Sequence, residues 1–214
     1  ILMQVRDNEI VTMTPNSKKE ASFLTLDELN GYTKAEGIND LKRIPQLTWL
    51  NDYQAYYYAL GENGITLNKM DVKKKSIETI SSVPQNAENQ TICEATMCIA
   101  YTVDNNLYVA NGDKQIQITD NPKGVVAGQS VHRNEFAING GIFWSANGDY
   151  LAYYSMDERM VTDYPLVDIT ERIATAKPIK YPMAGMTSHQ VTLHIYNLAT
   201  GKEVEDRKSG SAGM

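Results

Sequence analysis

Gly141-Ile142-Phe143-Trp144-Ser145-Ala146-Asn147-Gly148-Asp149 is an apolar run entering an Asn-Gly turn, and Tyr150-Leu151-Ala152-Tyr153-Tyr154 returns from it. Asn-Gly accepts the positive φ values that a tight turn requires, so the two runs read as a β-hairpin. The same grammar governs the chain upstream. Gln46-Leu47-Thr48-Trp49-Leu50 turns at Asn51-Asp52 and returns as Gln54-Ala55-Tyr56-Tyr57-Tyr58-Ala59-Leu60. Gly61-Glu62-Asn63-Gly64 closes the next hairpin, and Ile65 to Met70 follows with period-two alternation. Lys73-Lys74-Lys75 reads as a solvated turn before a fourth short strand, Ser76 to Ile80.

A second round runs from Thr96 to Val103, turns at Asp104-Asn105-Asn106, continues as Leu107 to Ala110, turns at Asn111-Gly112-Asp113 and ends with Gln115 to Thr119. The third round opens at Gly141, but its next strand is delayed to Val191–Asn197, before the turn Thr200-Gly201-Lys202. On this register Leu67 is equivalent to Val109 and Tyr56 to Tyr101. Trp49 is equivalent to Trp144 after two steps and an insertion. Four short strands repeating every ~40–45 residues are the signature of a β-propeller blade. One such blade cannot bury both faces alone and must stack on its neighbours. A β-sandwich also shows short strands at regular spacing, but repetition of the whole unit favours the propeller. The expected fold is all-β: a partial β-propeller of three to four four-stranded blades over residues 1–207, with Trp144 in a blade core.

Three segments break the rhythm. Residues 11–45 hold one short helix, announced by the capping box Thr25-Leu26-Asp27-Glu28 ahead of Leu29. Residues 155–190 form a long inserted loop, expected to be ordered because it carries Tyr164, Pro165, Tyr181, Pro182 and several methionines. Residues 208–214 read as a flexible linker or end segment.

Composition narrows the function. The 214 residues are 42% hydrophobic and 21% charged, with a formal net charge of -6, enough apolar material for a core. Acid and base are scattered and no basic stripe appears, which argues against nucleic acid as a partner. No apolar run reaches the ~18–20 residues of a membrane helix. Ile1-Leu2-Met3 runs at once into Arg6, Asp7 and Glu9, which is not a signal peptide. Cys93 and Cys98 form a C-x4-C pair with no second pair or nearby histidine, so no metal site is expected. Cys98, inside Met97-Cys98-Ile99-Ala100, reads as a buried core thiol, with a Cys93–Cys98 disulfide the lesser alternative. The 13 tyrosines against 3 Phe and 2 Trp lean towards pleated surfaces.

The chain contains no complete catalytic apparatus. Gly128-Gln129-Ser130-Val131-His132 and Ser209-Gly210-Ser211-Ala212-Gly213 each lack one glycine of the G-x-S-x-G elbow. His132, His189 and His194 show no metal spacing, and neither a P-loop nor G-x-G-x-x-G occurs. No cofactor is expected. A propeller closes with four or more blades, so the expectation is a portion of a larger protein that self-associates through its uncovered blade face and strand edges.

The most informative stretch runs from Gln129 to Asn197. Ser130-Val131-His132-Arg133-Asn134-Glu135-Phe136 precedes the Trp144 hairpin, and Met156-Asp157-Glu158, Met160-Val161-Thr162-Asp163-Tyr164-Pro165-Leu166 and Lys180-Tyr181-Pro182-Met183-Ala184-Gly185-Met186 follow. In this order the stretch resembles the propeller of the dipeptidyl peptidase IV family, with residues 20–125 compatible. The resemblance implies a propeller covalently continuous with an α/β-hydrolase domain. It implies a serine exopeptidase releasing di- or tripeptides after proline from peptides with a free N-terminus. It assigns Glu135 to the substrate's α-amino group. The dipeptidyl enzymes typically carry two adjacent glutamates, whereas Asn134-Glu135 has one, which leans towards the bacterial prolyl tripeptidyl branch and leaves dipeptide release open. His132, Arg133, Asp163 and Tyr164 are candidate neighbours of the substrate. Bacterial members work in the periplasm or at the cell surface. The alternative reading is a non-catalytic propeller that binds proteins.

Overall fold

Residues 2–14, 19–35, 38–61, 64–131, 139–170 and 172–206 are described in the computed structural model of the chain. Strands begin at its start: β1 (Leu2–Arg6), β2 (Glu9–Met13) and β3 (Glu20–Thr25) form an antiparallel three-stranded sheet, which sequence reading did not anticipate. Helix α1 (Leu26–Ala35) follows directly, where the capping box puts it. The Thr25 hydroxyl accepts from the Glu28 N–H at 3.2 Å, while the Thr25 N–H and hydroxyl each donate to the Glu28 carboxylate at 2.9 Å. The Thr25 backbone N–H, then its hydroxyl, hold the Glu28 carboxyl below its ordinary range. This reciprocal pairing satisfies orphan donors of the first turn.

The first blade is β4 (Thr48–Trp49), β5 (Gln54–Leu60), β6 (Gly64–Asp71) and β7 (Ser76–Pro84), hydrogen-bonded in chain order. All four strands fall where the turn signals separate them. Gly61 N–H donates to the Gly64 carbonyl at 2.7 Å across the hairpin turn, whose Glu62 and Asn63 lie outside the described residues. Lys73 stays exposed, with its ammonium 3.8 Å over the Tyr53 ring. Ile10 and Leu24 of the first sheet, Leu29 of the helix, and Tyr57, Met70 and Ile77 of the blade share one buried cluster.

These elements make up the first of two compact units, Ile1–Gln85; the second is Asn86–Met214. There β8 (Glu88–Cys93), β9 (Cys98–Val103), β10 (Asn106–Asn111) and β11 (Lys114–Gln117) form the second blade, again in chain order. The third blade adds β12 (Val125–Ala127), β13 (Ile142–Trp144) and β14 (Tyr150–Asp157). Between β14 and the next long strand lie four two-residue strands, β15 (Asp163–Tyr164), β16 (Val167–Asp168), β17 (Thr175–Ala176) and β18 (Ile179–Lys180). The blade is completed by β19 (Gln190–Asn197) and β20 (Lys202–Asp206).

Inside the second unit, Ala100, Leu107 and Val109 of the second blade pack with Ala127, Ile142, Leu151 and Tyr153 of the third. The Trp144 indole N–H donates to the Thr91 carbonyl at 3.0 Å, a direct tie between the two blades. Trp144 is thus half-buried in the seam between blades, with its polar atom satisfied. Leu67 and Val109 both occupy third strands, Tyr56 and Tyr101 second strands, and Trp49 and Trp144 first strands. Repeated four-stranded antiparallel sheets of this kind make the fold a partial β-propeller. Residues 208–214 lie outside the described residues.

Candidate functional site

The third blade has an interrupted first strand. β12 pairs with the far half of β14 (Val125 opposite Asp157, Ala127 opposite Ser155), and β13 pairs with the near half (Ile142 opposite Tyr153, Trp144 opposite Leu151). Tyr154 bridges the gap. It accepts from the Gly128 N–H at 2.8 Å and donates to the Gly141 carbonyl at 3.0 Å. The ladder along β14 is therefore continuous; the chain leaves the strand edge after Gly128 and rejoins it at Gly141, and residues 132–138 between them lie outside the described residues.

Two glycines permit this root. Gly128 has φ +71, a left-handed conformation that favours glycine, and a Cβ there would stand 3.0 Å from Ile142 and Thr102. Gly141 is constrained by contact alone. A Cβ there would lie 2.1 Å from the Gln129 carbonyl oxygen and 2.4 Å from its carbon. Only the absence of a side chain allows the two ends of the excursion to meet.

A cavity of ≈ 240 Å³ opens beside this root, lined by Asn89, Asn105, Gln129, Ser130 and Glu158 over Val126 and Met156. Asn89 and Asn105 adopt positive φ, 50° and 68°, which asparagine tolerates better than most residues. Asn89 donates to the Thr102 hydroxyl at 2.9 Å, and Gln129 reaches the Asn105 side-chain oxygen at 3.4 Å. The lining is mostly polar and offers amide donors and acceptors with one carboxylate. Sequence reading treated Asn105 only as a turn residue. The asparagines themselves, which tolerate left-handed backbone, were the one available signal.

Of the residues singled out from sequence, His132, Arg133 and Glu135 lie outside the described residues. Asp163 and Tyr164 sit elsewhere, in the arm between β14 and β19, and neither lines the cavity. Asp163 is exposed and pairs with Lys180 at 2.9 Å; the Tyr164 ring centroid is 5.9 Å from that of Tyr181. Within the segment expected as an inserted loop, residues 163–168 pair with 175–180 as the two sides of a hairpin. Asp163 opposite Lys180, Tyr164 opposite Ile179, Val167 opposite Ala176 and Asp168 opposite Thr175 keep one register across both ladders. The ladder breaks where Pro165 and Pro178 remove donors.

The arm is pinned near its tip. Lys177 pairs with the Asp168 carboxylate, which also accepts from the Thr170 N–H at 2.9 Å and hydroxyl at 2.7 Å. Lys177 first, then the Thr170 donors, bring the Asp168 carboxyl down to about 2. A carboxyl depressed on folding adds stability that is complete above its unfolded pKa, ~3.9, and is lost as pH falls through the folded value. Protection of the Lys177 and Thr170 amides, taken relative to their intrinsic exchange rates, is therefore expected to hold at pH ~3 and to fall near pH ~2. In Asp168→Asn that protection should be low at both pH values. Equal protection in the variant at pH ~3 would remove this pin.

No group of three or more His, Cys, Asp or Glu side chains able to hold a metal occurs among the described residues. No helix among them is long and apolar enough to cross a membrane. Tyr153 and Glu203 hold the blade's outer strand, the tyrosine hydroxyl donating to the carboxylate. Burial first, then this bond, raises the Tyr153 hydroxyl above its ordinary range.

Comparison with known proteins bears on this arrangement. Residues 51–212 match the family described as the dipeptidyl peptidase IV (DPP IV) N-terminal region. A protein of Talaromyces marneffei named "Probable dipeptidyl-aminopeptidase B" is 28% identical over 182 residues, covering 76% of this chain and 19% of that protein. "Dipeptidyl peptidase 4" of Arthroderma otae is 34% identical over 119 residues, 49% of this chain and 15% of its own length. The chain thus spans less than a quarter of the length of the curated relatives it matches. A crystal structure from Bacteroides ovatus, described as a dipeptidyl aminopeptidase IV, superposes with TM-score 0.81 at 38% identity, over 94% of this chain and 28% of that one. The Porphyromonas gingivalis dipeptidyl peptidase 4 superposes with TM-score 0.66 at 20% identity, over 92% of this chain and 29% of its own, a likeness of fold.

Proposed function

This chain belongs to the family of the dipeptidyl peptidase IV N-terminal region, and from that premise we propose that it gates and anchors substrate in a serine exopeptidase. That enzyme releases di- or tripeptides after proline. Its nucleophile, histidine and acid belong to an α/β-hydrolase domain in the same polypeptide. In this reading Glu135 receives the free α-amino group of the peptide, with Arg133 and His132 as its sequence neighbours. The protein works in the periplasm or at the cell surface and needs no cofactor.

The observation that carries the proposal is the pinched root of residues 129–140. Two ends of a segment clamped to a rigid blade limit how far the residues between them can reach, which suits a positioning role for Glu135. An ammonium paired with a carboxylate in a confined site makes a charge-assisted hydrogen bond. The polar cavity beside the root supplies amide partners for a peptide backbone.

Acetylation of the substrate tests this reading. In the full-length protein, a proline-containing peptide with a free amine is expected to be cleaved with much higher kcat/KM than the same peptide acetylated. Mass spectrometry of the product gives the length released. Equal turnover of the two peptides would overturn the anchor. Cleavage of neither would favour the second reading, a propeller that binds proteins. That reading draws on the arm, where Val167, Ile169 and Ile173 are 66%, 80% and 80% exposed. Such a surface suits a protein partner, a second copy of this chain included.

A further inference from the structure

The two cysteines stand directly opposite each other on adjacent antiparallel strands, Cys93 ending β8 and Cys98 opening β9. Both are free and both are 3% exposed. The turn between them is tight. The N–H groups of Thr96 and Met97 both donate to the Cys93 carbonyl, at 3.3 and 2.7 Å, and Met97 has φ 58°. Directly opposed residues of an antiparallel pair point their side chains to one face.

Both cysteines flank the mouth of this turn, beside Thr96 and under the third blade. A Cβ at Gly148 would lie 2.9 Å from Cys93 Sγ and 2.6 Å from the Thr96 methyl, and Cys98 Sγ lies 3.9 Å from the Thr96 carbonyl oxygen. Opposed Cα atoms in antiparallel strands are ~4.5–5.5 Å apart, inside the roughly 4.4–6.8 Å that a disulfide spans. A metal is the weaker occupant, because no third ligand joins the pair among the described residues.

We propose that Cys93 and Cys98 are a reversible redox-modification site, closing to a disulfide that staples the β8–β9 hairpin. The oxidant is a small-molecule disulfide, RSSR. One thiolate attacks RSSR and releases RSH, leaving a mixed disulfide. The second thiolate then attacks the protein sulfur of that mixed disulfide and releases another RSH. Two thiols of the protein are oxidised by two electrons, and one disulfide is reduced to two thiols. Burial of both sulfurs makes opening of the turn, exposed at residues 94–96, the gate for the first step.

The staple sits at the seam between blades. The hairpin that it closes carries the Thr91 carbonyl that receives the Trp144 indole, and Gly148 of the third blade packs on Cys93. Oxidation is therefore expected to tighten that seam and not to create a new surface.

The test is redox titration of the full-length protein in glutathione buffers, native and in denaturant. The readout is mass spectrometry of the tryptic peptide that contains both cysteines, residues 76–114. The expected result is a peptide lighter by two hydrogens that forms at a glutathione disulfide level about tenfold or more lower in the native protein. In Cys98→Ser the same peptide should carry only a glutathione adduct. A native pair that stays as two thiols, or oxidises no more readily than the denatured one, would overturn the proposal.

Discussion

Glu135→Gln in the full-length protein is expected to lower kcat/KM for a free-amine, proline-containing peptide by about 30-fold to a few thousand-fold. That range corresponds to the ~2–5 kcal/mol lost when one partner of a desolvated, hydrogen-bonded charge pair is removed, at 1.4 kcal/mol per decade. The substitution keeps shape and one acceptor oxygen, so the loss isolates charge. The amine does not react, and its pairing is equally present before and during bond cleavage. Loss of such binding raises KM with kcat unchanged. A fall in kcat as well would mean that the anchor also sets the register of the scissile bond, since misplacement by a fraction of a bond length slows chemistry. An acetylated peptide offers no ammonium and should be turned over equally by both proteins.

pH provides a second reading of the same interaction. A peptide α-amino group titrates near ~7.7–8.0. An anchoring carboxylate raises that value in the complex, so the favourable interaction is complete below the free amine's pKa for as long as the carboxylate stays ionised, and disappears as pH rises through the raised pKa. The wild type should therefore lose kcat/KM above pH ~8, and the variant should lose far less over the same range. A variant as active and as pH-dependent as the wild type would leave Glu135 a surface acid.

What the sequence disclosed was local. The blade strands β4 to β7 are separated by Asn-Asp, Asn-Gly and Lys-rich turns, and each turn signal acts within a few residues. The capping box at Thr25 and Glu28 likewise needs only its own four residues. β8 was illegible because Glu88-Asn89-Gln90-Thr91-Ile92-Cys93 lacks alternation and buries only its last residue. Its place in the sheet is fixed by pairing with β9 and by the Trp144 bond to Thr91. β1 hides for a similar reason, since four of its five residues are exposed. β20 contains one hydrophobic residue, Val204, which is itself exposed, and strand formation there follows from the edge of β19.

The candidate site was less legible than the fold. The segment from Ser130 to Phe136, on which the proposed anchor rests, stood out by resemblance alone and lies outside the described residues at 132–136, and nothing local announced that Gly128 and Gly141 meet. Asn89, Asn105, Gln129 and Glu158 come from four separate stretches, and their convergence depends on stacking of the second blade against the third. The arm was disguised by Pro165 and Pro178, which break the donor pattern on both of its strands at opposed positions and so preserve the register while hiding it.

Gly141→Ala is expected to be among the most damaging single substitutions on the third blade, at about 3 kcal/mol or more, the upper range for overpacking. The added methyl would fall 2.1 Å from the Gln129 oxygen, 2.4 Å from its carbon and 2.8 Å from its nitrogen. All three are backbone atoms, so no side-chain rotation relieves the clash. Relief requires Gln129 to move, and Gln129 follows Gly128, whose N–H bonds Tyr154 on β14. The strain is therefore delivered to the ladder joining β12, β13 and β14. Gly140 is the internal control. It has φ +93 but nothing within 4 Å of a would-be Cβ, so Gly140→Ala should lose only the ~1–2 kcal/mol of a left-handed backbone. Urea denaturation of the two variants gives the difference, and hydrogen exchange should localise the Gly141→Ala loss to Val125–Ala127 and Ile142–Trp144. If the root also sets the anchor, Gly141→Ala loses preference for free-amine peptides at temperatures where it remains folded, and Gly140→Ala keeps it. Equal stability of the two variants would mean that the ends of the excursion are not clamped, and would withdraw the positioning role while leaving the blades intact.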